Sequence, residues 1–144
     1  MSKPRVLFLC TGNSVRSQMA EGLLREMAGD RFEVLSAGTN PAGVNPLAIE
    51  VMQEIGIDIS KHRSKNVKEF LGKPIEYVVT VCDRAKESCP IFPGTYKVLS
   101  WSLDDPAAVS GTKEEKLLAF RRIRDDISRH IEKHFMPVAQ PEAR

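Results

Sequence analysis

The sequence predicts an α/β protein whose core is a parallel sheet with helices on both faces. Two observations predict it. Four short apolar runs rich in β-formers stand apart at 5–9, 32–35, 77–81 and 97–101, and the stretches between them carry helical periodicity. Parallel strands need crossover connections, nearly always right-handed, so strand and helix in alternation favour parallel pairing. A length of 144 residues suits one domain over 1–144, and 42% hydrophobic with 28% charged residues is an ordinary globular composition.

The elements follow in order. After the strand at 5–9, Ser17 opens a helix in which Met19, Leu23, Leu24 and Met27 share a face, and Gly29 with Asp30 ends it. A second helix runs from Pro46 to about residue 54. Proline suits a first helical turn, and Ile49, Met52 and Ile55 recur at threes before Gly56. The stretch 57–73 is basic and irregular, with a short helix expected near 68–71. Beyond Lys113, the residues Leu117, Phe120, Ile123, Ile127, Ile131 and Phe135 follow steps of three and four. That spacing marks a long amphipathic helix lying on the sheet, with its charges on the wet face. Residues 137–144 carry little to bury and are expected to form a frayed tail.

Several functional classes are disfavoured at this stage. No apolar stretch approaches the roughly 18 residues of a membrane span, and the run 6–9 is too short for a signal-peptide core, so a cytoplasmic location is expected. A net charge of +2 from interspersed basic and acidic residues is no nucleic-acid footprint. No glycine-rich dinucleotide fingerprint follows the first strand, so no bound cofactor is expected. The three cysteines lack a Cys-x-x-Cys pair, and no metal site is expected. An odd count points instead to catalytic or redox thiols. His62, His130 and His134 have no ligand constellation around them, and Trp101 reads as core. A monomer is the default, because no apolar stripe is left over beyond those the core needs.

The central signal is Cys10-Thr11-Gly12-Asn13-Ser14-Val15-Arg16-Ser17, between an apolar strand and a helix. In this arrangement successive main-chain N–H groups curl around a tetrahedral oxyanion, the helix N-terminus adds positive potential, and Arg16 supplies a planar fork of donors. The same field is expected to lower the pKa of the Cys10 thiol and make it a nucleophile. Gly12 and Asn13 are residue types that tolerate positive φ, and the Ser17 hydroxyl is placed to reach the sulfur. The plainer alternative is a buried cysteine ending a strand beside a solvated arginine.

Through VLFLCTGNSVRSQMAEG the chain resembles the low-molecular-weight tyrosine phosphatase superfamily, over nearly its whole length. That resemblance implies a flavodoxin-like fold with a four-stranded parallel sheet in the order 2-1-3-4. Such a sheet gathers the loops after strands one, three and four at its carboxyl edge, and these loops carry Cys10, Cys82 and Asp105. The resemblance assigns Asp105 the role of proton donor to the leaving oxygen. An Asp-Pro pair is also a common turn opener, and that reading stays open.

Phosphatases of this superfamily need one cysteine, so Cys82 and Cys89 require a separate explanation. The segments VVTVCDRAKESCP, SWSLDDP and GTKEEK look like the thioredoxin-coupled arsenate reductases, and Ala107 and Ala108 stand where the phosphatases carry an aromatic pair. This implies that Cys10 attacks arsenate, that Cys82 displaces arsenite to leave a Cys10–Cys82 disulfide, and that Cys89 moves the disulfide outward for thioredoxin. Phosphate and sulfate are the expected competing oxyanions. Seven helical steps from 82 to 89 would span roughly 10 Å, whereas a disulfide tolerates about 4.4–6.8 Å between Cα atoms, so that segment is expected to rearrange. A phosphatase and a non-enzymatic oxyanion-binding module remain the alternatives. Reductases of this family often carry a monovalent cation site; Asn13, Glu21 and Ser36 match three ligands of it, but Lys65 stands at the fourth. A lysine there can replace the cation, so no potassium dependence is expected.

Overall fold

The computed structural model describes residues 3–82, 89–94 and 96–136. Strands β1 (Arg5–Cys10), β2 (Glu33–Gly38), β3 (Tyr77–Thr80) and β4 (Lys97–Ser100) form one four-stranded sheet in the order β2-β1-β3-β4. All its pairs are parallel, with Cys10 beside Gly38, Leu9 beside Thr80, and Thr80 beside Ser100. The carboxyl ends of the strands are therefore level. Ladder-like bonds continue one residue further, from Val81 N–H to Leu9 O and from Trp101 N–H to Thr80 O.

Helices α1 (Arg16–Ala28), α2 (Pro46–Gln53) and α3 (Lys113–Phe135) are joined by single 3₁₀ turns at Val67–Phe70 and Pro106–Ala108. Val6, Leu7, Phe8 and Leu9 are each wholly buried, as are Val78 and Val79. Neighbouring strand residues point to opposite faces, so both faces of the two central strands are covered. Helix α3 buries the apolar stripe read from its sequence, namely Leu117, Phe120, Ile123, Ile127, Ile131 and Phe135. Thr112 and Glu115 cap it reciprocally, which satisfies two donors of its first turn. Glu54 receives both Arg121, at 2.7 Å, and Arg124, at 3.1 Å, and so ties α3 to the end of α2.

Differences from the sequence-based expectation are local. Strand β2 runs on through Ser36, Ala37 and Gly38, beyond the expected end at 35. Its small and polar residues resemble a turn, yet Ser36 is buried because polar partners from α1 and the Cys10 loop satisfy it. Helix α1 begins at Arg16 rather than Ser17, and Gly29 closes it with φ −63°, not in the left-handed form expected of a glycine stop. His130, partly buried, and His134, exposed, lie near the end of α3 and in addition stack on the buried Trp101 indole with centroids 4.9 and 5.7 Å away. No helix among the described residues is long and apolar enough to cross a membrane. The expected tail at 137–144 and the expected rearrangement over 83–88 lie outside the described residues.

Candidate active site

The loop between β1 and α1 owes its shape to where its carbonyls go. Thr39 N–H bonds to Cys10 O, Asn40 N–H to Thr11 O, Ala42 N–H to Gly12 O, Asn45 N–H to Ser14 O and Met19 N–H to Val15 O, at 2.8–3.3 Å. Asn13 O is held by side chains instead, accepting from Gln18 Nε2 at 3.1 Å and Ser64 Oγ at 2.5 Å. In a planar trans peptide the N–H points opposite to the carbonyl of the preceding residue. Carbonyls drawn outward to 39–45, 64 and α1 therefore turn the following N–H groups inward, as an anion requires. Helix α1 adds its first turn without a side-chain cap, since Val15 at its N-cap accepts no bond through its side chain. Asn13 alone among non-glycine residues described has positive φ, at 46°. Gly38 makes this packing possible, because a Cβ there would sit 2.4 Å from Thr11 O and 2.8 Å from Asn13 N.

The Cys10 sulfur accepts from Asn13 N–H at 3.0 Å and lies 2.8 Å from Ser17 Oγ. Asn13 Nδ2 donates to Ser17 Oγ at 2.8 Å, which leaves the hydroxyl hydrogen available to the sulfur once Cys10 is a thiolate. Burial nonetheless pushes the Cys10 thiol above its ordinary value, against hydrogen bonds from Ser17 and Asn13 that favour the thiolate, and Cys82 adds to the rise. The expected lowering is thus reversed. Desolvation outweighs the loop's dipoles, and the Arg16 guanidinium is engaged elsewhere, with Nη1 donating to Leu103 O at 2.9 Å.

Beneath the loop lies a polar network only partly foreseen. Asn13 Oδ1 accepts from Gln18 Nε2 at 2.9 Å and from Lys65 N–H at 2.8 Å, while its Nδ2 reaches Ser36 Oγ at 2.9 Å. Ser36 in turn donates to Glu21. The Glu21 carboxylate also meets Arg25 at 2.5 Å and the Lys65 ammonium at 3.5 Å. Burial alone would raise its pKa, but Ser36, Lys65 and Arg25 together hold it below the usual carboxylate value. The three expected cation ligands and Lys65 are therefore adjacent, with the lysine at the carboxylate. The rest of the basic run divides: Arg63 pairs with Glu69 at 2.8 Å in solvent, whereas His62 is half-buried with Nδ1 2.9 Å from Gln18 Oε1.

Around the mouth, a cavity of about 450 Å³ is lined by Cys10, Thr11, Gly12, Ser14, Val15 and Arg16 from the loop, by Cys82 and Asp105, and by Asn45 and Ala107. Thr11 Oγ1 lies 3.6 Å from Cys82 Sγ. Asp105 serves in two ways: Oδ1 accepts from Ala107 N–H at 3.0 Å and opens the 3₁₀ turn, while Oδ2 faces Arg16 at 3.9 Å. Asp105 thus both opens the turn and lines the cavity. Cys89 is half-buried, 3.5 Å from Pro90 O, and burial raises its thiol pKa; it does not line the cavity. All three cysteines are thiols. No group of three or more His, Cys, Asp or Glu among the described residues is arranged to hold a metal ion. Gln18, Ser64 and Asn45 were not anticipated, since a lone polar residue in a helix or turn carries no signal in a single sequence.

A parallel α/β sheet that delivers a buried thiol into a ring of inward N–H groups, with an arginine and a carboxyl at the rim, defines an oxyanion-handling protein with a cysteine at its centre. The chain belongs to the low molecular weight phosphotyrosine protein phosphatase family, whose model matches residues 5–143. Its relatives include an arsenate reductase of Halalkalibacterium halodurans, 47% identical over 91% of this chain and 94% of that protein. Among solved structures, an arsenate reductase in the oxidised state is 31% identical and covers 90% of this chain and 94% of its own, with a TM-score of 0.78. A thioredoxin-dependent arsenate reductase of Corynebacterium glutamicum is 32% identical, with a TM-score of 0.67 over 96% of this chain and 64% of its own.

Proposed function

We propose that the chain reduces arsenate to arsenite in the cytoplasm through a relay of its three thiols, with an external thioredoxin-type dithiol resetting it. The observation that carries this reading is a second cysteine, Cys82, lining the same cavity as Cys10. A phosphatase has no use for that thiol, whereas a reductase needs one to attack the arsenic-bound sulfur, so that the S–S bond forms and the sulfur–arsenic electron pair leaves on arsenic. Likeness to arsenate reductases over most of the chain supports the same reading.

In the first step Cys10 Sγ attacks arsenic and one arsenate oxygen leaves as water, its proton supplied by Asp105, while the loop N–H groups and Arg16 hold the remaining oxygens. Binding requires the Arg16 fork to turn part of its donors from Leu103 O to the anion. Cys82 Sγ then attacks Cys10 Sγ. The S–S bond forms, the S–As bond breaks, and its electron pair stays on arsenic, which leaves as arsenite. In sum, one arsenate and two thiols give arsenite, one disulfide and water. Cys89 attacks Cys82, frees Cys10, and leaves a Cys82–Cys89 disulfide for the external dithiol, whose oxidation closes the cycle. Thr11, Gly12, Asn13, Ser14, Val15 and Ser17 act with Arg16 as the substrate cradle, and no bound cofactor is required.

The test is a single turnover without reductant. One equivalent of arsenate should yield one arsenite and remove two of the three titratable thiols. Hydrolysis of an aryl phosphate with no arsenite and no thiol loss would establish the phosphatase reading instead.

A further inference from the structure

The peptide between Asn13 and Ser14 is secured differently from the other loop peptides. Its neighbours' carbonyls are held by main-chain N–H groups of 39–45 and of α1, whereas Asn13 O depends on two side chains. It also follows the loop's left-handed residue, where the backbone has least steric support. The two side chains have fixed donor sense. Gln18 is wholly buried, and its Nε2 faces three oxygens, those of Asn13 O, Asn13 Oδ1 and Arg63 O, so its amide nitrogen must lie on that side. Ser64 Oγ accepts from Gly43 N–H at 2.9 Å, which leaves its own hydrogen for Asn13 O at 2.5 Å.

We infer that Gln18 and Ser64 are positioning residues of the anion cradle: by holding Asn13 O outward they keep the Ser14 N–H turned into the cavity toward a bound oxyanion. Neither side chain lines that cavity, so each acts through the peptide and not by touching substrate. The thiol is supported separately. Asn13 N–H belongs to the preceding peptide, whose Gly12 O is anchored by Ala42 N–H at 2.9 Å with Ser64 Oγ a longer 3.3 Å away, and Ser17 Oγ bonds neither residue directly, although Gln18 holds the Asn13 amide that donates to it. Loss of either should therefore weaken anion binding, and loss of Ser64, which bonds the Asn13 carbonyl and not its side chain, should leave the thiol as it was.

The inference rests on the cradle of the proposed reaction, but its test uses inorganic phosphate and needs no arsenate turnover. Ser64→Ala, Ser64→Thr and Gln18→Met are compared with the unchanged chain. One readout is the phosphate dissociation constant, taken from protection of Cys10 against iodoacetamide, and the other is the alkylation rate without phosphate. A main-chain donor to a charged oxygen is worth about tenfold or more in affinity. Ser64→Ala should weaken phosphate about tenfold with the unprotected rate within twofold, Gln18→Met should weaken phosphate about tenfold or more, and Ser64→Thr, which keeps the donor, should bind as the unchanged chain does. Undiminished affinity in Ser64→Ala overturns the inference, and so does an equal change in both readouts, which signals general distortion. Should Gln18→Met fail to fold, the Ser64 pair decides. A chain that binds phosphate as described yet releases no arsenite would overturn the reduction reading alone.

Discussion

Replacing Lys65 by methionine tests the charge arrangement under the loop. The lysine ammonium lies 3.5 Å from Glu21 Oε1, with both side chains largely shielded from water. At an effective dielectric of about 20, that separation corresponds to roughly 5 kcal/mol of attraction. The net loss is smaller, because Glu21 keeps Arg25 and Ser36 and the variant no longer desolvates an ammonium. A destabilisation of about 2–3 kcal/mol is expected, which for a chain of this length lowers Tm by roughly 6–9 °C. The pH dependence supplies the sign. Glu21 titrates below its ordinary value of 4.5, so the stability it contributes is fully present above that pH and is lost as pH falls through the lower folded-state value. The deficit of Lys65→Met should thus be full at pH 7 and shrink in acid. Thermal melts followed by circular dichroism in steps from pH 7 into acid read both quantities. A Tm within 2 °C of the unchanged chain at pH 7, or a deficit that stays constant as Glu21 becomes protonated, would refute the reasoning.

Other perturbations follow from the same geometry. With the lysine ammonium already at the carboxylate, Tm and turnover in sodium and potassium salts at equal ionic strength should agree, and marked potassium stimulation would count against that arrangement. Gly38→Ala places a Cβ against Thr11 O and Asn13 N, both main chain, so it should destabilise by about 1–3 kcal/mol in denaturant titration and abolish measurable phosphate binding. Ser17→Ala removes the donor at 2.8 Å from the Cys10 sulfur, so the midpoint of the alkylation rate against pH should rise above that of the unchanged chain.

The sheet was legible because apolar periodicity is a property of single segments, and the stripe from Leu117 to Phe135 is the clearest case. Cys10 and Arg16 were legible from the strand, loop and helix around them, whereas Cys82 and Asp105 were brought to the same edge by the strand order that the family resemblance implies, and the level strand ends place all four at one cavity. The balance of forces on them was not. The Cys10 pKa depends on how completely α1 and the sheet exclude water, and the aim of Arg16 depends on Leu103 O, 87 positions away. Gln18 and Ser64 escaped notice because their importance lies in which carbonyl they meet. The grouping of Ser36 with Asn13 and Glu21 came from the family resemblance, whereas the extension of the strand through it depends on those two residues satisfying its hydroxyl.

Mapping the disulfide formed after one equivalent of arsenate, by mass spectrometry of the alkylated and digested chain, tests the thiol relay most directly. The unchanged chain should carry Cys82–Cys89 with Cys10 alkylated, and Cys89→Ser should stop at Cys10–Cys82 after releasing one arsenite. Arsenite released with all three cysteines alkylated, or multiple thioredoxin-coupled turnovers by Cys89→Ser, would contradict the relay.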